Sequence, residues 1–378
     1  VRHRRSRALV AIAGIAVSTL LVLVLMGTYR SLTRGVRMYV GSSRVDIWVS
    51  PLGTDNLIRS SVLLPESVVD SIETLPEVRE TGPLVRGFVA VRKAPPLPGG
   101  SELAAHPEIE SGPAINLLAM GYRTPRGIGG PPLMIGGRLP EGPREIVLDR
   151  VAAHRVGVAP GDTVDVNGLA FELVGISAGT NLLATQFAFL DAASLEATSG
   201  IRGQYSFVAV GLHPGRDAEA VARLIDSRFP RITAYSRDAF VENNIREVAA
   251  GFRPLQLLVS GMGVLAAAVL VALLVQGGVE DRRQDIAVLL AMGAPSRSIG
   301  IGLFAHATLL VVIGAAVGGA ILLVLDDALA SLMPTLEFAP RVLDLALVLP
   351  LFVVVSGLAA SVPLARLRRI DPVTAFRP

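Results

Sequence analysis

Four stretches of this 378-residue chain contain no Asp, Glu, Lys or Arg: Ala8 to Tyr29, Pro254 to Val279, Ser298 to Leu325 and Leu345 to Ala365. Each is between 21 and 28 residues long, and about 20 apolar residues cross roughly 30 Å of hydrocarbon as a helix. Backbone amides in lipid must bond within their own segment, so helix is the structure open to such a run. All 35 basic and 32 acidic residues therefore fall in the rest of the chain, which has the charge density of a water-soluble protein. The fold class expected is a four-transmembrane-helix bundle with a large mixed α/β extracytoplasmic domain between helices 1 and 2. Pro350 and Pro363 are expected to kink the fourth helix or move its ends.

The first run follows Arg2, Arg4, Arg5 and Arg7, as a secretory leader would, but it is longer than a usual leader core and no small-residue cleavage site closes it. It reads as an uncleaved anchor. Basic residues near the spans set orientation. Arg282, Arg283 and Arg297 on one loop and Arg366, Arg368, Arg369 and Arg377 on the tail favour both termini in the cytoplasm, whereas Arg30, Arg34, Arg37 and Arg44 after the first span pull the other way. The resulting layout is a flank and first span (1–29), an extracytoplasmic domain with helical stalks (30–253), a second span (254–279), a cytoplasmic loop (280–297), a third span (298–325), a short outside loop (326–344), a fourth span (345–365) and a cytoplasmic tail (366–378). This describes a multi-pass protein of the cytoplasmic (inner) membrane.

Most chemistry is excluded by residue counts. Zero cysteines remove disulfides, zinc thiolates and Cys nucleophiles. The histidines, His3, His106, His154, His213 and His306, are scattered without an i, i+4 pair, so no catalytic metal is expected. Lys93 is the only lysine and follows no Gly-rich loop, which excludes a Walker A site in this chain. Gly175-Ile-Ser177-Ala-Gly179 matches a nucleophile elbow, yet the sequence after it reads as loop and strand, so Ser177 is expected to be a strand-end turn residue. The spans also lack the ionisable residues of a channel or carrier, apart from His306, which reads as a helix-contact or interfacial residue. Gly314-x-x-x-Gly318, with Gly14-x-x-x-Ser18 and Gly357-x-x-x-Ser361, would let helices approach closely.

The intervening region shows mixed periodicity. Val45 to Val49, Val85 to Val91, Glu145 to Leu148, Thr163 to Val166 and Phe171 to Ile176 read as strands, 64–73 carries a helix start with Pro and an acid in its first turn, and 216–227 reads as an amphipathic helix. Gly157 to Asp162 reads as a Pro/Gly turn and 94–113 as an exposed mobile loop. Two lobes are expected, the second centred on 134–202. Residues 30–40 and 238–253 read as helical continuations of the first two spans, forming a stalk.

The sharpest segment joins spans two and three. It opens with charges at Asp281, Arg282, Arg283 and Asp285, presents apolar Ile286, Leu289, Leu290 and Met292, and stops at Gly293 and Pro295. This is expected to be a docking helix for a cytoplasmic partner, the plain alternative being an interfacial amphipathic turn. Asp281-Arg-Arg-Gln-Asp-Ile286 through Leu289, Ala291, Gly293 and Ala294 resembles the E-R-R-x-E-I-x-x-L-R-A-x-G-A segment of ABC transporter permeases of the MacB, FtsX, LolC/LolE and DevC family, with Asp285 and Leu290 as departures. The tail from Arg368 through Asp371 and Pro372 to Arg377 is similar to that family's closing R-x-D-P-x-x-A-L-R. Gly137-Arg-Leu-Pro140, Arg144-Glu-Ile-Val-Leu148 and Gly157 to Asp162 look like its extracytoplasmic domain.

The resemblance implies a non-catalytic subunit working by mechanotransmission. ATP and magnesium would be bound by a separate cytoplasmic ATPase and not by this chain, which would pair with a second permease copy as homodimer or heterodimer. Asp281, Arg282, Arg283, Asp285, Ile286, Leu289, Met292 and Gly293 would couple to the ATPase. The work would be export or extraction of a lipid, lipoprotein, peptide or drug, with an extracytoplasmic adaptor or substrate protein, membrane lipids and no nucleic acid among its partners. Two alternatives stand beside it: an FtsX-like regulator of an extracytoplasmic enzyme, and a membrane-anchored sensor without an ATPase.

Overall fold

All four charge-free runs lie in long helices of the computed structural model, which describes residues 2–42, 44–58, 62–95, 114–125, 127–180, 186–199, 203–292, 294–332 and 342–367. The helices are α1 (Arg2–Tyr39), α6 (Arg237–Glu280), α8 (Ser296–Leu332) and α9 (Val342–Leu367), numbered with the shorter elements introduced below. Each is long and apolar enough to cross a membrane. The chain divides into two units, residues 1–30 with 251–378, and residues 31–250.

In the first unit, a core of Ile15, Val22, Val271, Val311 and Phe352 joins all four helices. Glycines set how closely they approach. A Cβ on Gly314 would lie 2.8 Å from Cβ and Cγ2 of Ile15, and one on Gly357 would lie 2.8 Å from the Phe304 ring. Leu258, Met262, Leu265 and Val269 of α6 are exposed, a stripe that water would penalise and hydrocarbon accepts. The helices extend beyond the charge-free runs. The fourth helix runs without interruption through Pro350 and Pro363, since each proline removes only one amide donor and neighbouring helices tolerate the gap. Helix α8 continues past Asp326 and Asp327 to Leu332, because the end of an apolar run does not end a run of good helix formers. Helix α6 passes through Pro254.

Among the described residues, the second unit is an α/β domain with twelve strands. Its elements are β1 (Ile47–Pro51), β2 (Leu64–Pro65), α2 (Glu66–Glu73), β3 (Val78–Lys93), β4 (Ile115–Tyr122), β5 (Met134–Gly137), β6 (Glu145–Asp149), α3 (Arg150–Val156), β7 (Thr163–Val166), β8 (Leu169–Ser177), β9 (Phe187–Asp191), α4 (Ala192–Ser199), β10 (Gln204–Tyr205), β11 (Phe207–Leu212), α5 (Ala218–Arg228) and β12 (Ile232–Ser236). The main sheet has the order β12-β1-β11-β3-β4-β9-β6-β8-β5, with β7 pairing β3 and β8, and β2 pairs β10 separately. The two expected lobes are joined by one strand. The 16-residue β3 serves both, pairing β11 over Val78 to Leu84 and β4 over Val85 to Val91.

Alternation along the strands sorts two layers. Ile47 and Val49, Ala188 and Leu190, and Val208 and Val210 point into an aliphatic core completed by α2, α3 and α5. The residues between them, Trp48, Phe189 and Ala209, belong to the opposite face, where the aromatic rings meet α1 and α6. The turn at 157–162 follows its sequence reading: Gly157 caps α3 at φ +72°, and the Asp162 carboxylate accepts from the Ala159 amide at 2.9 Å. In α5, Val221 and Ile225 are buried, whereas Leu224 is exposed. Most of the expected loop at 94–113 lies outside the described residues, as does the stretch 333–341 between α8 and α9.

Candidate functional site

Between α6 and α8 the chain makes a tight turn and a short helix, α7 (Arg283–Ala291). The Asp281 amide still donates to the Gly277 carbonyl at 2.9 Å, and Arg282 takes the position before α7 with its carbonyl accepting from Ile286 at 2.8 Å. Asp285 stands in the first turn of α7, where a carboxylate favours the positive end of the helix dipole. Arg283 faces Glu280 at 3.8 Å; both are exposed, so the pair adds little stability and leaves the charges available.

The apolar residues of α7 divide between two directions. Ile286 is buried against Val279, with Leu290, Ile299 and Leu303 around it, which ties α7 to α6 and α8. Val288, Leu289 and Met292 are exposed, Met292 at 71%. Beside the turn lies a cleft of about 770 Å³, whose lining includes Asp281, Arg282, Asp285, Ile286, Leu289 and His306. Five of the sequence-predicted coupling residues thus share one cleft. Arg283 and Met292 do not line it, and Gly293, Asp371 and Pro372 lie outside the described residues. His306 is exposed on the cleft wall.

Of the predicted packing residues, Gly314 faces Ile15, and Gly318 faces the Ala16 carbonyl and Thr19, both on α1. One pair was missed from sequence. Arg30 and Asp344 form a bidentate ion pair between α1 and α9, with Nη1 to Oδ2 at 2.6 Å and the Asp344 side chain only 3% exposed. The signal was present: the two opposite charges directly follow the first run and directly precede the fourth.

Within the inserted domain, the Gly137-Arg-Leu-Pro140 segment is pinned by Arg138, which donates to Glu145 at 2.7 and 2.6 Å. That guanidinium, helped by the amides of Glu141 and Gly142, holds the Glu145 carboxyl down to about 2. Burial raises the Tyr122 phenol above its ordinary range. Ser177 ends β8 fully buried, its hydroxyl 3.5 Å from the Leu148 carbonyl, and the next described element is a strand, not the helix a nucleophile elbow needs. Among the described residues, no group of three or more His, Asp or Glu gathers as a metal site.

The site therefore offers charge and exposed apolar contact at a helix junction. Residues 8–228 match the MacB-like periplasmic core domain and residues 257–372 the FtsX-like permease C-terminal domain. The chain belongs to the MacB/FtsX family of ABC transporter permeases. An uncharacterized ABC transporter permease of Mycobacterium bovis is 28% identical over 384 residues, covering 100% of this chain and 97% of the relative. One of Mycobacterium tuberculosis is 27% identical over 381 residues, covering 99% and 96%. The periplasmic region of MacB from Actinobacillus actinomycetemcomitans aligns with a TM-score of 0.39 at 13% identity, covering 53% of this chain and 92% of that one. As a permease of this type, the protein is a multi-pass membrane subunit whose class works with a cytoplasmic ATPase.

Proposed function

We propose that the chain relays ATP-driven movement from a separate ATPase to its inserted domain, acting there on a lipid, lipoprotein, peptide or drug. The observation that carries this reading is the reach of α6, which starts directly after the last strand of the inserted domain and ends at the charged turn before α7. A push on that turn, in this reading, acts on one end of a helix whose other end follows the last strand of the inserted domain. In this reading both termini and the turn are cytoplasmic, the inserted domain is extracytoplasmic, and a second permease copy completes the pair of ATPase contacts. Asp281, Arg282, Arg283 and Asp285 supply charge contacts, while Leu289 and Met292 supply apolar ones. ATP and magnesium belong to the partner chain, because this sequence has no phosphate-binding loop.

Reversing Arg282 and Arg283 to Glu, or replacing Gly293, is expected to abolish co-purification of the ATPase while membrane insertion continues. Undiminished co-purification of the ATPase with the reversed variant would overturn the docking role. Protease accessibility tests the arrangement separately: cleavage of the inserted domain and of the 280–297 loop from the same side of the membrane would end the relay reading.

A further inference from the structure

A relay of this kind works only if the domain grips the helices that reach it. Seven of the chain's 18 aromatic residues gather at that grip: Tyr39, Trp48, Phe187, Phe189, Phe207, Tyr235 and Phe240. Tyr39 is the last residue of α1, and Phe240 lies in the first turn of α6. Trp48, on β1 between them, touches both. Its ring lies 6.2 Å from that of Tyr39 and stacks at 5.3 Å on that of Phe240, with an interplanar angle of 24°.

Trp48 also makes a directional bond. Its indole Nε1 donates at 3.0 Å to the carbonyl of Val40, the residue that follows α1, where carbonyls lack intrahelical donors. One side chain therefore caps one helix and stacks on the other. The surroundings hold each helix end in place. The Tyr39 hydroxyl donates to the Gly129 carbonyl at 2.9 Å, and the Leu57 amide donates to the Asn244 side chain of α6 at 2.9 Å. Trp48, Phe207 and Phe240 are fully buried. Aromatic rings have few rotamers and interlock in tilted and stacked pairs, so this layer yields less to shear than an aliphatic one would.

We propose that Trp48 is the positioning residue of the relay: it locks the end of α1 to the start of α6, so that the domain receives the motion of both helices as one body. The proposal rests on the relay reading above, and a two-part experiment separates the two. Since the chain has no cysteine, Arg37→Cys and Arg246→Cys give a unique spin-label pair on the exposed sides of α1 and α6. In the solubilised full chain without ATPase, one narrow label–label distance is expected. Trp48→Ala should broaden it about twofold, and Trp48→Phe, which keeps a ring against Phe240, should restore most of the sharpness.

The second part uses the chain with its ATPase in lipid nanodiscs, labelled once on the domain at Glu141→Cys, and reads the distance between copies on adding ATP. Wild type should change distance, Trp48→Ala should lose the change while still binding ATPase, and Trp48→Phe should recover it. Phe240→Leu, which keeps the volume and removes the ring, carries both parts if Trp48→Ala does not fold. An unbroadened distance in these variants, or an ATP response that survives them, overturns the proposal. A wild-type chain that shows the narrow distance but no ATP response overturns the relay reading instead.

Discussion

The Arg30–Asp344 pair offers a quantitative test of how the bundle is held. The perturbation is Arg30→Ala, which withdraws a bidentate donor from a carboxylate only 3% exposed, while Arg30 itself is 23% exposed. A buried pair broken on one side costs about 3–5 kcal/mol and an exposed one at most about 1 kcal/mol, so this half-buried geometry gives about 2–4 kcal/mol. The second single variant is Asp344→Ala, and the double variant Arg30→Ala/Asp344→Ala, which removes the buried charge along with its partner, should cost less than the two single variants together. The assay is thermal unfolding of the full chain in one detergent, for both single variants and the double. A double-mutant cycle should return a coupling of about 1–3 kcal/mol. Additive costs, with a coupling below about 0.5 kcal/mol, would refute the claim that these two residues tie α1 to α9.

Glycine substitutions along α8 should separate contact from composition. Gly318→Ala, which drives a methyl toward the Ala16 carbonyl, should destabilise the bundle by about 1–3 kcal/mol, whereas Gly300→Ala, with no atom within 4 Å, should be neutral or stabilising in the same melting assay. The Arg138–Glu145 clamp predicts an acid response. The folded Glu145 carboxyl sits at about 2 against an ordinary 4.5, so its contribution is complete above pH 4.5 and is lost as the pH falls toward 2. In Arg138→Ala, Glu145 should titrate closer to its ordinary value, read by carbon-detected NMR of labelled glutamate; an unchanged titration would remove the clamp as the cause.

Much of the architecture was legible because it follows from local constraint. A charge-free run must be helical in lipid, and the β-branched runs at Ile47 to Val49 and Thr163 to Val166 read as strands. Helical character at 30–40 and 238–253 was also readable, and α1 and α6 extend through both to Tyr39 and Arg237. What stayed hidden depends on long-range pairing. No local pattern says that β3 changes partners at Val85, or that Phe189 and Trp48 lie over the end of α1. Counting basic residues treated Arg30 as a free flanking cation, because a carboxylate 314 positions away is invisible to a window of twenty residues.

The strand shared by the two halves of the inserted domain also decides how such permeases can be re-engineered. An exchange of halves between relatives that crosses over at Leu84–Val85 would put side chains from two parents next to each other on one strand, out of match with their partners on β11 and β4. Any viable chimera has to transplant β3 whole, together with β11 and β4 on either side of it. Exchange between relatives therefore has to move larger blocks than loop swapping would.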